Sequence, residues 1–495
     1  MSSSKLTQQA ISGLGWQGSV VVSNILIRAA VFIILARTLT PTEFGIVAAA
    51  MVVAHIVKEV SQLGVARALV QRLELSRAHL QGGMAIAIYT GIAATLAVYL
   101  SAPAIAELFE IAGLQPFVEV LSAILLFSSL GAVPAAMLQR ERRFRELSIC
   151  DFVSFVIGFA GVALTLAFLG MGAWALALAN VAQAGVRMIM LFWIYRVHPY
   201  LELRLPIARD LLGIGAGFSV GQAGNFVATQ VDYVIVGRAL GAEALGFYNR
   251  AYQLLMLPAQ LVGNAASTVL IPTVASIQDQ RDRVGRAFLR AMGLVSLIAW
   301  PVSGVSLIVA PELIRTLLGE RWDPMILPFQ ILVVTLLFRT THKICDAVVQ
   351  AMGAMYARAW RQWLYAALVA LGAYTGLAYG IAGVAAGVSV AVLVNYLLML
   401  QLGCKLGGIG LGEAMLVQIR HLLPGLLIAL PAGAATIAGR IGAWPEMGTL
   451  SLALAGSALA TAGLMRFAAP MFGPELEWLF ERAKERLAKS NVESQ

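Results

Sequence analysis

Long apolar segments recur along the whole chain, and each is about as long as a helix that crosses a lipid bilayer. A spanning helix needs about 20 mostly apolar residues, and this rule predicts fourteen such segments among the 495 residues. Inside lipid the backbone must satisfy its own hydrogen bonds, which leaves helices or a closed barrel. The length of the segments favours helices. Their approximate ranges are 11–36, 44–66, 81–102, 117–138, 149–170, 174–195, 211–236, 246–276, 288–310, 325–350, 361–379, 382–402, 421–439 and 447–468.

The composition excludes several functional classes. Of the residues 59% are hydrophobic and 12% are charged, whereas a soluble domain has about 45–50% and 25%, so lipid must be the solvent. The net charge of +9 reflects basic residues in cytoplasmic loops, and we expect no nucleic-acid partner. The sequence contains no GxxxxGK[ST] and no HExxH motif. We therefore expect a transporter that is not an enzyme, with no metal and no cofactor other than possible H+ or Na+ coupling.

The distribution of charge predicts the orientation. If the N-terminus is cytoplasmic, 24 of the 35 Lys and Arg residues fall in inside segments and five in outside segments. Basic residues near the membrane concentrate on the cytoplasmic side. We therefore expect both termini to be cytoplasmic, with an amphipathic helix over 474–490 lying on the inner membrane surface.

A duplicated sequence landmark predicts how the spans are organised. Arg37, Leu39 and Gly45 recur 201 residues later as Arg238, Leu240 and Gly246, and each copy carries a Glu, displaced by one residue between the copies. Three further pairs of landmarks follow in the same order at offsets of 208, 211 and 210 residues. Such an internal duplication is typical of transporters built from two halves.

The duplication leads to a prediction of fold class and domains. Six spans per half begin and end on the same side of the membrane, so the halves must be parallel repeats. We expect an all-α polytopic membrane protein of about fourteen transmembrane helices: two parallel six-helix lobes, two extra C-terminal helices and the amphipathic tail helix. The predicted boundaries are 1–205 for the N-lobe, 206–405 for the C-lobe, 406–470 for spans 13 and 14, and 471–495 for the tail.

Six segments of the chain, 35–45, 63–72, 139–144, 232–238, 245–252 and 269–272, resemble a known family. The chain resembles Wzx-type polysaccharide flippases over about residues 10–410, especially the branch associated with colanic-acid-type export. This family belongs to the multidrug/oligosaccharidyl-lipid/polysaccharide exporter superfamily. The resemblance implies transfer of an undecaprenyl-diphosphate-linked oligosaccharide to the periplasmic leaflet of the bacterial inner membrane, with the polysaccharide polymerase and export machinery as possible partners.

Polar residues inside predicted spans are candidates for the transport path, because charges in lipid are costly and usually face a cavity. Asn24 and Arg28 share one face of the first span, and Arg28 lies near mid-bilayer. The seventh span carries Gln222, Asn225 and Asp232. We expect Arg28 and Asp232 to share a chamber, either as part of a substrate site or as a structural ion pair. Asp232 is also the candidate for ion coupling.

A second group of polar residues lies in other spans. Arg339, His342, Lys343 and Asp346 in the tenth span form one helical stripe, which would suit a diphosphate or an acidic sugar; alternatively, Lys343 and Asp346 neutralise each other at a lobe interface. The remaining expectations concern single residues. Lys58 is a substrate candidate or the partner of Glu59. Asn264 either binds sugar hydroxyls or forms a hydrogen bond between helices, and Arg187 snorkels or caps a carbonyl. Pro258 and Pro301 are expected to interrupt their helices.

Other functions remain open from the sequence. An ion-coupled drug or metabolite antiporter and a peptidoglycan-precursor flippase belong to the same superfamily. An antiporter for cations typically places a carboxylate where this first span has Arg28. A glycan polymerase or ligase would need a sizeable outer loop, and the longest predicted one, near 311–324, is short. A lipid-linked oligosaccharide flippase is the function that the sequence favours.

Overall fold

The computed structural model describes residues 27–61, 65–72, 74–196, 200, 206–207, 224–467 and 471, and no strand occurs within these ranges. The side chains at positions 60, 67, 71, 260–269 and 272 are outside the description. The predicted amphipathic helix over 474–490 lies outside the described residues. The helices in the first part of the chain are α1 (27–38), α2 (Pro41–Ser61), α3 (Val65–Gln71), α4 (Arg77–Phe109), α5 (Gln115–Arg140), α6 (Phe144–Phe155), α7 (Leu164–Phe168) and α8 (Ala173–Ile194).

The second part of the chain is also helical. A π-helical segment, Val156–Ala163, joins α6 to α7, and a 3-10 segment, Glu320–Met325, precedes α13. The remaining helices are α9 (224–228), α10 (Val231–Ala275), α11 (Arg281–Ile308), α12 (Ala310–Leu317), α13 (Ile326–Val334), α14 (Leu336–Ala351), α15 (Met355–Gly376), α16 (Gly380–Gly407), α17 (Leu411–Arg420), α18 (Leu422–Ile441) and α19 (Glu446–Phe467).

Many of these helices have the length and composition of membrane spans. Within the described residues, nine helical stretches are long and apolar enough to cross a bilayer, and the bent pair Glu320–Val334 and Leu336–Ala351 makes a tenth. The expected all-α polytopic fold is therefore confirmed. The count of fourteen stays a prediction, because the structure does not describe residues 11–26 of the first predicted span or 211–223 of the seventh.

Two expectations about helix continuity were wrong. The tenth span, predicted as one helix over 325–350, is bent by 44° between α13 and α14. The helices α10 and α11 continue through Pro258 and Pro301, which were expected to interrupt them. Proline is tolerated in membrane helices because neighbouring groups satisfy the carbonyl that loses its partner. The break in α10 lies instead at Gly241, whose φ of 82° is a left-handed conformation that favours glycine.

The backbone divides into two compact units. The first unit comprises Met1–Ile33, Leu254–Ala354 and Tyr396–Gln495, and the second comprises Ile34–Gln253 and Met355–Asn395. The predicted lobe boundaries at 205, 405 and 470 stay a prediction.

In the first unit, the C-terminal spans pack against the preceding helices. Ala432 and Ala435 of α18 and Leu450 and Ala453 of α19 form one buried cluster with Val309. Helices α18 and α19 are therefore an integral part of this unit.

In the second unit, the two copies of the duplicated landmark meet. Helices α2 and α10 cross at Gly45 and Gly246, which are equivalent positions in the repeat. A Cβ atom at Gly45 would lie 1.6 Å from the carbonyl oxygen of Ala242, and one at Gly246 would lie 1.9 Å from that of Pro41. Pro41 and Ala242 are also equivalent, so each helix gives the other the same contact.

The two copies begin their helices by different means. In the first copy, the Thr40 amide donates to Glu43 Oε2 (2.7 Å) and the Glu43 amide donates to Thr40 Oγ1 (3.3 Å). This reciprocal arrangement is a capping box, and it starts α2. In the second copy, the left-handed Gly241 takes the position of Thr40.

Candidate functional site

The polar residues predicted in the tenth span lie on one face of α14. Arg339, His342, Lys343 and Asp346 are half-buried, whereas the opposite face, including Thr341 and Cys345, is buried. The spacing of three and four residues produces this arrangement because such residues are neighbours on a helix surface. We call these four residues the α14 stripe.

Within the first unit, hydrogen bonds fix the cations of the α14 stripe. Arg339 Nε donates to Thr335 Oγ1 (3.0 Å), the residue at the bend between α13 and α14. Lys343 Nζ donates to the carbonyl oxygen of Ala259 in α10 (3.4 Å). The carboxylate of Asp346 accepts a hydrogen bond from Gln350 Nε2 (2.7 Å). Both cations are thus held against backbone or side-chain oxygens of the surrounding helices.

A second group of charges lies within the spans of the second unit. Arg187 Nε of α8 donates to Asp151 Oδ1 of α6 (2.5 Å), and their side chains are 35% and 50% exposed. Lys58 of α2 is half-buried and interacts electrostatically with both, while His55, one turn earlier, is exposed. We call His55, Lys58, Asp151 and Arg187 the α2–α8 cluster. Charged residues inside spans usually face the bundle interior or a water-filled cavity, because contact with hydrocarbon is costly.

The α2–α8 cluster was only partly predicted. Lys58 was a candidate, but Arg187 was expected to snorkel or cap a carbonyl, and this was wrong because it forms an ion pair with Asp151. Asp151 was not singled out, although an acidic residue inside a predicted span was the signal that identifies it. Lys58 and Glu59 do interact electrostatically.

Asp232 is buried in the second unit at the start of α10, with 1% of its surface exposed. Tyr248 donates its hydroxyl to Asp232 Oδ2 (2.7 Å), and the backbone amide of Tyr233 donates to Oδ1 (3.0 Å). The rings of Tyr233, Tyr248 and Tyr252 pack around one another with centroids 5.6 to 6.1 Å apart. An ion that binds to this carboxylate must therefore compete with the Tyr248 hydroxyl.

A further cation lies beside the crossing of α2 and α10. The guanidinium of Arg250 stacks on the ring of Phe44, with Cζ 3.7 Å from the ring centroid. Arg250 Nη1 also donates to Gln253 Oε1 (2.6 Å). Sequence reasoning did not select Arg250, because it lies near the end of a predicted span, where basic residues are common.

Some predicted site residues are outside the structural description. Asn24 and Gln222 fall in ranges that are not described, and the side chain of Asn264 is not described although its backbone is helical. Arg28 and Asn225 are half-buried on α1 and α9. Arg28 belongs to the first unit and Asp232 to the second, and the expected shared chamber stays a prediction.

A network of ion pairs, which we call the α12 network, connects α12 to the C-terminal helices of the first unit. Arg315 forms two parallel hydrogen bonds with Asp323 (Nε–Oδ1 and Nη2–Oδ2, both 2.9 Å), and its Nη1 lies 3.3 Å from Glu446 Oε1. The Asp323 carboxylate raises the pKa of Arg315 above its usual value. Arg440 Nε binds Glu312 Oε1 (2.8 Å), and the Glu312 side chain is only 3% exposed.

Comparison with known families identifies the chain. The family described as polysaccharide biosynthesis protein matches residues 34–327, which is more than half of the sequence. The chain belongs to this family. The predicted resemblance is thereby confirmed at family level.

The names of two curated relatives refer to polysaccharide biosynthesis or transport. The lipopolysaccharide biosynthesis protein WzxC of Escherichia coli (strain K12) is 25% identical over 343 residues, 68% of each protein. The succinoglycan biosynthesis transport protein ExoT of Rhizobium meliloti (strain 1021) is 28% identical over 298 residues, 58% of each protein. The aligned region therefore spans less than two thirds of ExoT.

The solved structure of another protein has a fold similar to that of this chain. The lipid II flippase MurJ in an inward closed conformation superposes with a TM-score of 0.71 at 13% identity. The match covers 92% of this chain and 99% of MurJ. The likeness establishes a common helical architecture.

Proposed function

We propose that this protein moves a lipid-linked oligosaccharide from the cytoplasmic to the periplasmic leaflet of a bacterial inner membrane, for exopolysaccharide, capsule or O-antigen assembly. Membership of the polysaccharide biosynthesis protein family supports the biosynthetic role, and ExoT is by name a transport protein. The resemblance to Wzx-type flippases implies that the carrier lipid is undecaprenyl diphosphate. The proposal includes cytoplasmic termini, as the distribution of basic residues predicts.

The observation that carries the proposal is the set of half-buried cations inside spanning helices. Lys58 and Arg187 in the second unit, and Arg339 and Lys343 in the first, are half-buried. A charge at the bilayer centre costs about 2.5–3.5 kcal/mol on insertion scales, so charged residues inside spans usually have a polar partner or a functional role. Arginine offers paired donors and lysine a point charge to phosphate or carboxylate oxygens. Within each unit, an anionic headgroup is therefore a ligand that these residues suit.

The same cations argue against one alternative. An antiporter for cationic drugs needs acidic or apolar surfaces to receive its substrate. The half-buried residues Lys58, Arg187, Arg339 and Lys343 are instead basic. A peptidoglycan-precursor flippase would carry the same kind of diphosphate. The transport assay distinguishes the two flippases by comparing a lipid-linked oligosaccharide with lipid II as the substrate.

The test is a flipping assay in proteoliposomes that contain the purified full-length protein. The probe is undecaprenyl diphosphate linked to a fluorescent oligosaccharide, and dithionite destroys the fluorescence of molecules in the outer leaflet. With the protein present, we expect the initially protected inner-leaflet fraction to become accessible. Protection equal to that of protein-free vesicles would contradict the proposal, and equal transport of lipid II would favour a peptidoglycan role.

Substitutions connect the assay to the proposed cations. Removing a charged hydrogen-bonding group costs about 1.5–3 kcal/mol, so Lys343→Gln should slow flipping at limiting substrate about tenfold or more. The control is Lys405→Gln, the same change at an exposed lysine at the end of α16, which should leave transport unchanged. Similar rates in both variants would remove Lys343 from the binding site.

Asp232 is our candidate for ion coupling, by H+ or Na+. Its contact with Tyr248 means that coupling would require the carboxylate to exchange the hydroxyl for the ion. We expect Asp232→Asn to abolish any response of the flipping rate to an imposed pH or Na+ gradient. An undiminished response would end this candidacy.

A further inference from the structure

A partly open apolar cavity of about 170 Å³ is lined by residues of the first unit. Eight of its nine lining residues are apolar, and Ser306 is the exception. Leu257 and Pro258 line it from α10, and Val333 and Leu336 line it from both sides of the bend between α13 and α14. An enclosed apolar cavity of about 150 Å³ takes up benzene; this cavity is similar in volume and lining but partly open, so a hydrocarbon chain can enter it.

Two cations of the α14 stripe flank the cavity. Lys343 Nζ binds the carbonyl oxygen of Ala259, the residue that follows Pro258 of the cavity wall. Arg339 Nε binds Thr335 Oγ1, and Thr335 lies between the lining residues Val333 and Leu336. The helix α14 begins at this bend, so the positive end of its dipole lies there as well. An apolar space and a cationic surface are therefore adjacent within one unit.

We propose that the cavity binds the phosphate-proximal isoprene of a polyprenyl diphosphate, with the diphosphate on Arg339 and Lys343. This assignment rests on the proposed function and adds the position of the carrier lipid. The ligand is a single chain joined directly to a multiply charged phosphate group. The volume holds about one five-carbon unit, judged from the cavity size that accepts benzene. A phospholipid fits less well, because it carries two chains and one phosphate charge.

The predicted orientation agrees with a lipid of the inner leaflet. With cytoplasmic termini, α14 runs from the outer side at Leu336 towards the inner side at Ala351. The cavity then lies on the outer side of the cations. From a headgroup in the inner leaflet, a lipid chain runs towards the bilayer centre, which is the same direction.

Photolabelling tests the proposal. The full-length protein in nanodiscs is irradiated with a polyprenyl diphosphate that carries a diazirine in its first isoprene unit. A parallel sample contains phosphatidylglycerol with a diazirine in an acyl chain. We expect the first probe to label residues 254–258 and 329–336, and unlabelled undecaprenyl diphosphate, but not undecaprenol, to compete. Equal labelling of these residues by the phospholipid probe would overturn the assignment, because it indicates an ordinary lipid site.

A matched pair of variants checks the location. Leu257 lines the cavity and is 48% exposed, whereas Leu327 of α13 is 56% exposed and does not line it. Leu257→Trp should fill the space and abolish specific labelling, and Leu327→Trp should not. Lys343→Gln should lower labelling about tenfold, the effect of one charged hydrogen bond. Unchanged labelling in Leu257→Trp would refute the cavity as the binding site.

The flipping assay separates this proposal from the function on which it rests. Transport of lipid-linked oligosaccharide without specific labelling of the cavity would refute the chain-binding site and leave the flippase function intact. Specific labelling without transport would refute the flippase function and retain a polyprenyl diphosphate site.

Discussion

The crossing of α2 and α10 permits a test of whether the two copies of the duplicated landmark touch each other directly. In Gly45→Ala, the new methyl group would lie 1.6 Å from the Ala242 carbonyl oxygen, whereas real Cβ atoms keep more than 3.0 Å from such neighbours. The helices must therefore move apart locally by about 1.4 Å, the difference of these distances. Gly246→Ala produces the same clash with Pro41 from the other side.

Two opposing effects set the magnitude. Overpacking of a close contact costs about 1–3 kcal/mol, while replacing glycine by alanine within a helix stabilises it by about 0.5–1 kcal/mol. We expect the crossing variants to lose about 1–2 kcal/mol of unfolding free energy. At Gly463 in α19, an added Cβ meets no atom within 4 Å. Gly463→Ala should therefore leave the unfolding free energy unchanged or raise it, whereas the crossing variants should lower it.

Thermal unfolding of the purified protein in detergent provides the measurement. Cys150, Cys345 and Cys404 are buried free thiols, so a thiol-reactive dye reports their exposure without added labels. The double variant Gly45→Ala/Gly246→Ala should cost less than the sum of the single variants, because the first methyl already separates the helices. Single variants as stable as Gly463→Ala, or strictly additive costs, would refute a shared contact between the two repeats.

Three further predictions concern named polar contacts. Arg440→Gln leaves the buried Glu312 carboxylate without its cation and should cost about 1–3 kcal/mol of unfolding free energy. The double variant Arg440→Gln/Glu312→Gln should regain stability, and absence of this rescue would contradict the pairing. Asp151→Arg and Arg187→Asp should each reduce flipping, and the combined swap should restore part of it if the ion pair positions Lys58. Tyr248→Phe should lower the unfolding temperature, since it removes a hydrogen bond worth about 1.5–3 kcal/mol to a buried carboxylate, and an unchanged temperature would argue against this bond.

Features that depend on one helix were predictable from the sequence. The α14 stripe follows from residues spaced by three and four, because helix geometry alone brings them together. The spans within the described residues follow from the length of apolar segments, because lipid forces the backbone into helices. The bend at Thr335 was missed, since threonine and the leucines beside it are compatible with a continuous helix.

Contacts between helices were not predictable in the same way. Asp151 and Arg187 are 36 residues apart on different helices, and no spacing rule pairs them. The repeat of Gly45 at Gly246 was visible, but the sequence does not show that equivalent glycines touch. Their small size was a signal only in retrospect, because glycine is common wherever membrane helices pack.

The α12 network sets a limit on what can be removed from this protein. Residues 34–327 match the family, yet Glu312 and Arg315 inside that region obtain charge partners from Arg440 and Glu446 beyond it. A chain cut after α16 would retain an acidic group in an apolar setting and uncover the surface at Val309. The family segment therefore relies on α18 and α19 for these charge partners, and shortened versions of the protein for expression or crystallisation should keep both helices.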